Sequence, residues 1–255
     1  MKKTIVFIGV LLALNTYKLA AQQMMYIGGG ATGTLPFVVN QNDFGAHVLE
    51  LNYKYNFSYA FNGAMGFNFH DNMGLHFEGG YAKMGQVYED KFSNAYYPGT
   101  HTKEIKLNYS HYLVAFRYNT YAYKNIQFEA MIGPQLGILH KSSLKYTVNG
   151  NQVPYPLQNA PGFSANYPVQ NDASKFFNKM EVGGFLQAGV NILPIESIIL
   201  NVGLRAYYSL TDLNKSEYRN HTEYGASHNF YAGIHVGVRW CFLTYEDFPL
   251  ISRYR

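Results

Sequence analysis

Few residues in this chain stand at spacings that catalysis requires. Gly28-Gly29-Gly30-Ala31-Thr32-Gly33 matches G-x-G-x-x-G, the loop that lets a dinucleotide pyrophosphate approach a helix N-terminus. The residues that follow, Thr34-Leu35-Pro36 and Asn40-Gln41-Asn42-Asp43, read as loop rather than helix. These glycines are therefore expected to be thin positions in a wall, beside bulky neighbours. The nine histidines are scattered with no pair at metal-ligand spacing, so neither a metal nor a cofactor is expected. Ser110 beside His111, and Ser227 beside His228, offer a nucleophile and a base for a lipid hydrolase, but no acid can be assigned to complete either set.

A second polar set is more informative. Glu129, Arg205, His235 and Arg239 each alternate with apolar neighbours, and His76, Glu78 and Arg117 join them at matching positions. Alternation of that kind needs extended chain, because a helix repeats its apolar face every three to four residues. The clearest case is Leu49 to Phe69. Its odd positions run Leu, Leu, Tyr, Tyr, Phe, Tyr, Phe, Gly, Met, Phe, Phe, and its even positions are mostly polar or small. Ordinary strands have about 5 or 6 residues, whereas a tilted strand crossing a bilayer needs about 9 to 11.

The same pattern recurs at Ile126 to Ile138, Val182 to Ile192, Ile198 to Leu210 and Phe230 to Phe242. Met24 to Thr32, Met73 to Tyr88 and Glu104 to Tyr118 add less regular strands. In the last of these the apolar parity shifts after Tyr109, which predicts a bulge near Ser110 and His111. Eight strands are expected. Short links (70–72, 119–125, 193–197) alternate with long ones (33–46, 89–103, 142–179, 212–228), the latter carrying a hairpin around Asn149-Gly150. That sorting predicts an all-β fold: an eight-stranded antiparallel transmembrane β-barrel with short periplasmic turns and long extracellular loops. Phe69, Tyr118, Trp240 and Phe242 fall near short-turn ends, as an aromatic girdle would. The seven inward polar residues then form a lumen cluster that must be paired or hydrated.

Composition is compatible with this and excludes other classes. Aromatic residues make up 17% and charged residues only 14%, so the chain is not of the disordered type. Lys2, Lys3 and Lys18 lie in an acid-free N-terminal segment, and removing them leaves 17 basic against 16 acidic residues, which argues against nucleic acid as a partner. The lone Cys241 allows no internal disulfide. Residues 1–21 read as a signal peptide, with a basic start, an apolar core and Leu19-Ala20-Ala21 before Gln22. Residues 22–243 are then the barrel and 244–255 a short periplasmic tail.

The segments 112–118, 132–139, 204–213 and 233–242 resemble the PorT-like outer-membrane β-barrel proteins of Bacteroidetes-type bacteria. The resemblance implies a small outer-membrane barrel of a Gram-negative bacterium, a few of whose relatives are linked to protein secretion or surface assembly, and it brings no catalytic motif. Ala115 and Arg117 depart from that family, which more often has Leu and Pro there, as does the continuation past the last aromatic strand. The expected function is a non-enzymatic envelope, surface-contact or secretion-accessory barrel. Its expected partners are outer-membrane lipids, the barrel insertion machinery and an extracellular or secretion-system protein. A lipid-modifying enzyme, a narrow pore and a soluble ligand carrier are the alternatives. The carrier would place apolar residues inside.

Overall fold

A computed structural model describes residues 24–39, 52–93, 98–152, 176–195, 197–216 and 226–243. Eight long strands form the wall: β1 (Met25–Val39), β3 (Ser58–Asn68), β4 (Met73–Phe92), β5 (Gly99–Asn119), β6 (Ile126–Val148), β8 (Met180–Ile195), β9 (Ile198–Ser209) and β10 (His228–Leu243). Two short pieces, β2 (Asn52–Lys54) and β7 (Asn151–Gln152), pair onto β4 and β6. Every wall strand is antiparallel to its neighbours, and β1 closes on β10 from Met25↔Leu243 to Val39↔His228, so the eight form a ring. Closure leaves the eight strands without a free edge, the condition for an extended backbone to sit in lipid.

The alternation sorts side chains between two surroundings. Ile27, Met65, Phe128, Ile132, Leu204, Val236 and Trp240 stand exposed on the outer face, while their sequence neighbours turn inward. Toward the long-loop end the polarity reverses. There the outer face carries Lys83, Lys106, Asn108, Lys141 and Lys145, and the interior holds an apolar cluster including Met84, Ile105, Leu107, Leu144, Phe177 and Tyr231. The wall therefore has an apolar outer belt over a polar interior, then a polar outer surface over an apolar interior. The first arrangement suits a bilayer and the second suits water.

Four expectations about the strands need correction. The Leu49 to Phe69 segment is not one strand: residues 49–51 lie outside the described residues, and Tyr55–Phe57 separate β2 from β3. The pairing with β4 changes by one residue across that gap, from Lys54↔Val87 to Ala60↔Ala82. Gly33–Val39 is strand rather than loop. Pro36 is accommodated because β3 pairing stops at Thr34↔Ser58, leaving β1 with β10 alone on one side.

The third correction concerns the bulge. Odd residues of β5 face inward from His101 to Asn119 without interruption, so there is no bulge at Ser110 and His111. The apolar residues change sides because the interior itself becomes apolar above Tyr109. The irregularity lies across the ladder in β6, where Asn108 pairs with Lys141 but Tyr109 pairs with Leu139, leaving His140 as the extra residue. Last, the link expected at 89–103 shrinks to 93–98, because β4 and β5 continue as a hairpin above the belt. The Asn149-Gly150 hairpin forms as expected, with both residues at positive φ and Val148 paired to Asn151.

Candidate functional site

Inward positions of eight strands converge on the barrel axis, and polar side chains gather there in three layers. Nearest the short turns, Arg239 on β10 grips Glu129 on β6, with Nη1 to Oε2 at 2.5 Å and Nη2 to Oε1 at 2.9 Å. Asn191 and Asn201 donate to the same carboxylate at 3.2 and 3.0 Å, and Asn201 also donates to Asn191 at 2.7 Å. Arg117 brings Nη1 within 3.6 Å of Glu129 and donates through Nη2 to Asn68. The Tyr26 ring lies against both guanidinium groups, 4.5 Å from Arg117 and 5.3 Å from Arg239.

The middle layer is built on Glu78. Arg205 donates to it twice, at 2.7 and 3.1 Å, and donates through Nε to Gln187 at 2.8 Å. His76 and His111 each place Nε2 3.2 Å from one of its oxygens. The Tyr26 hydroxyl meets His76 Nδ1 at 2.7 Å and so joins the two layers. His235 stands apart from the carboxylates and contacts the Thr32 hydroxyl at 3.0 Å. In the third layer Glu181 accepts from the Tyr207 hydroxyl at 3.1 Å and from Asn229 at 2.6 Å, and Asn229 also reaches the Tyr109 hydroxyl. Above it begins the apolar interior.

All seven residues expected in the lumen, Glu78, Glu129, Arg117, Arg205, Arg239, His76 and His235, are buried inside the ring. The sequence leaves open which Arg meets Glu129; it is Arg239, while Arg205 belongs to Glu78. Which residues meet across a barrel depends on how far each strand is staggered, information a single sequence lacks. Glu181, His111, Gln187, Asn191, Asn201 and Tyr26 were missed, although the parity that marks Arg205 and Glu129 also marks Gln187, Asn191 and Asn201. Two buried carboxylates each held by a bidentate Arg, with side-chain amides on one of them, make a site suited to filling space and fixing strand stagger. A single-partner loss would leave a charge stranded in low dielectric.

The other candidates also find places. Neither adjacent Ser-His pair is brought together: neighbours on a strand face opposite sides, as Ser110 and His111 do, and Ser227 and His228 have separate partners. His111 turns in to Glu78, whereas Ser110 turns out and meets His140 Nε2 at 2.7 Å. Ser227 is buried and accepts from Asn214, while His228 stacks on Tyr208. Among the described residues no group of three His, Cys, Asp or Glu is placed to hold a metal. Gly28 and Gly30 are wall positions where an added Cβ would strike Val238 and Arg239, or His235 and Val236. Tyr118, Trp240 and Phe242 are exposed on the outer face, and Phe69 sits in the adjoining turn 6.3 Å from the Phe116 ring.

Residues 20–215 match the family model for the outer membrane protein β-barrel domain. No curated protein matches the sequence. Among solved structures, Neisserial surface protein A is 12% identical, with 86% of this chain and 97% of that chain covered at a TM-score of 0.43. The N-terminal β-barrel domain of Pseudomonas aeruginosa OprF is 9% identical, covering 87% and 98% at 0.41. The outer membrane protease OmpT from Escherichia coli is 10% identical, covering 87% and 97% at 0.39.

Proposed function

The chain belongs to the outer membrane protein β-barrel domain family, and on that premise we propose a non-enzymatic barrel with a closed lumen that works through its long-hairpin end. The protein is made with a signal peptide, residues 1–21, that is removed on export across the inner membrane of a Gram-negative bacterium. It stands in the outer membrane with short turns in the periplasm and the hairpins β4–β5 and β6–β7 outside. There it contacts an extracellular or secretion-system protein, the kind of accessory role that its PorT-like segments suggest.

The observation that carries this reading is the pair of bidentate Arg-Glu contacts across the lumen, Arg239 with Glu129 and Arg205 with Glu78. An eight-stranded ring has an interior just wide enough for side chains, and these occupy it. Purified protein in planar bilayers should give no stable, selective conductance. A steady ion-selective current from the wild-type protein would overturn the closed lumen in favour of a narrow pore.

One contact favours a second reading, an acyl hydrolase on the barrel exterior: Ser110 and His140 lie within hydrogen-bond distance at the edge of the apolar belt. Among the described residues no carboxylate contacts His140. Covalent capture of Ser110 by a fluorophosphonate probe, lost in His140→Ala, would establish that reading.

A further inference from the structure

The outer surface just above the apolar belt carries an unbalanced row of cations. Register places Lys83 on β4, Asn108 on β5 and Lys141 on β6 directly beside one another, all on the outward face. Adjacent strands are about 4.8 Å apart, so the two lysine backbones are roughly 10 Å apart. Lys141 is exposed, whereas Lys83 leans toward β3, its Nζ over the Tyr59 ring, so a ligand above Asn108 would draw the Lys83 side chain back across β4. Below the row lie Tyr81, Ser110 and Ile138, then Tyr112 and Leu136, where the belt begins.

Two other lysines toward this end are matched. Lys106 pairs with Glu104 at 2.9 Å and Lys54 with Glu89 at 2.8 Å. Lys83 instead lies over the Tyr59 ring at 4.5 Å, and among the described residues no carboxylate pairs with either Lys83 or Lys141. Two like charges separated by one neutral amide, at the border of a low-dielectric belt, repel unless an anion joins them. The hydrogen-bonding groups beside them suit a phosphate: the Asn108 amide, and the Ser110 hydroxyl with His140, which the β6 bulge turns outward. Lys179 is exposed at the same edge, its carbonyl accepting from the Leu139 amide.

We infer that Lys83, Asn108 and Lys141 form a binding site for the phosphate headgroup of an anionic lipid in the leaflet at the long-hairpin end. The lysine stems lie along the belt with their ammonium groups at headgroup level, while Tyr81, Tyr112 and Ile138 meet the acyl chains. A soluble anion would gain the charge contacts but not the belt. The inference rests on the membrane-spanning reading of the belt and is independent of whether the lumen is closed.

Native mass spectrometry of the full chain, released from maltoside micelles doped with dioleoyl phosphatidic acid or dioleoyl phosphatidylcholine, tests the site. The wild-type protein should retain phosphatidic acid selectively. Replacing both lysines, K83Q with K141Q, should weaken retention about thirtyfold, taking about fivefold for each cation beside an anionic surface. The control Lys54→Gln should leave it unchanged. Asn108→Asp, which keeps both lysines but places a carboxylate between them, should also lose retention and covers the case in which the double variant fails to fold. Equal retention of phosphatidic acid by wild type and variants would overturn the site. Displacement of the lipid by millimolar inorganic phosphate would overturn the lipid assignment in favour of a free-anion site. Conductance measurements address the lumen separately, so failure of one reading is distinguishable from failure of the other.

Discussion

Glu78 and Arg205 meet by two hydrogen bonds although their strands, β4 and β9, stand four places apart in a ring of eight and thus directly across the barrel. A contact of this kind spans the diameter and fixes the separation of opposite walls. Arg239 and Glu129 also cross the lumen, from β10 to β6, three places apart and so slightly off the diameter. Together with the Tyr26-His76 contact they form a continuous polar strut along the axis.

Glu78→Gln should therefore destabilise the barrel strongly. The substitution keeps the volume but leaves Arg205 buried without a counter-charge, a loss on the order of 3 to 5 kcal/mol for a fully buried pair. Glu129→Gln should cost at least as much, since it strands both Arg239 and Arg117 and turns the new amide nitrogen toward the donor of either Asn191 or Asn201. Urea unfolding from lipid vesicles, followed through the emission of the single Trp240, measures both. Equal, small losses would show that water already screens both centres.

The ring and its outward face were legible because lipid imposes a uniform demand: on β8, β9 and β10 every second residue must be apolar over the belt. Legibility ended where that demand ends. At Tyr109 and Ser110 the outside turns from lipid to water and the inside from polar to apolar, and both changes move the apolar residues to the other parity. A bulge produces the same sequence pattern. The true bulge at His140 is hidden, because Lys141 and Ser142 give no apolar parity to follow. The lumen residues were legible one by one, but Arg205 meeting Glu78 follows from strand stagger, which no local pattern encodes.

The glycines of β1 make a separate test. A Cβ on Gly30 would lie 2.5 Å from His235 Cε1 and 2.6 Å from the Val236 carbonyl oxygen, whereas one on Gly33 would meet nothing within 4 Å. Gly30→Ala should cost about 1 to 3 kcal/mol as overpacking, and Gly33→Ala should be nearly neutral. The same unfolding measurement distinguishes them. Equal effects would mean that the β1–β10 seam adjusts freely.

The position of the belt predicts where charge is tolerated. Met65 is 57% exposed between Ile27 and Phe77, inside the apolar band, while Tyr55 is 80% exposed beyond it. Met65→Arg should reduce insertion stability by ~2 to 4 kcal/mol if it lies near the midplane, and Tyr55→Arg should have little effect. Folding yield into dilauroyl phosphatidylcholine vesicles, scored by heat-modifiable migration on gels, gives the comparison. Similar yields would place Met65 outside the bilayer.

Sidedness follows from where the hairpins end. Asn151 lies at the tip of the β6–β7 hairpin and His70 in the β3–β4 turn, at opposite ends of the barrel, and both are exposed. Asn72 in that turn is unsuitable as a probe site, because its side chain is buried and donates to the Asn119 carbonyl at 2.6 Å. In a Cys241→Ser background, a membrane-impermeant maleimide applied to intact cells should label Asn151→Cys and spare His70→Cys until the outer membrane is permeabilised. Barrels of this type carry short turns on the periplasmic side and longer loops outside. Label reaching only His70→Cys would invert the barrel, and the lysine row at Lys83 and Lys141 would then face the periplasmic leaflet.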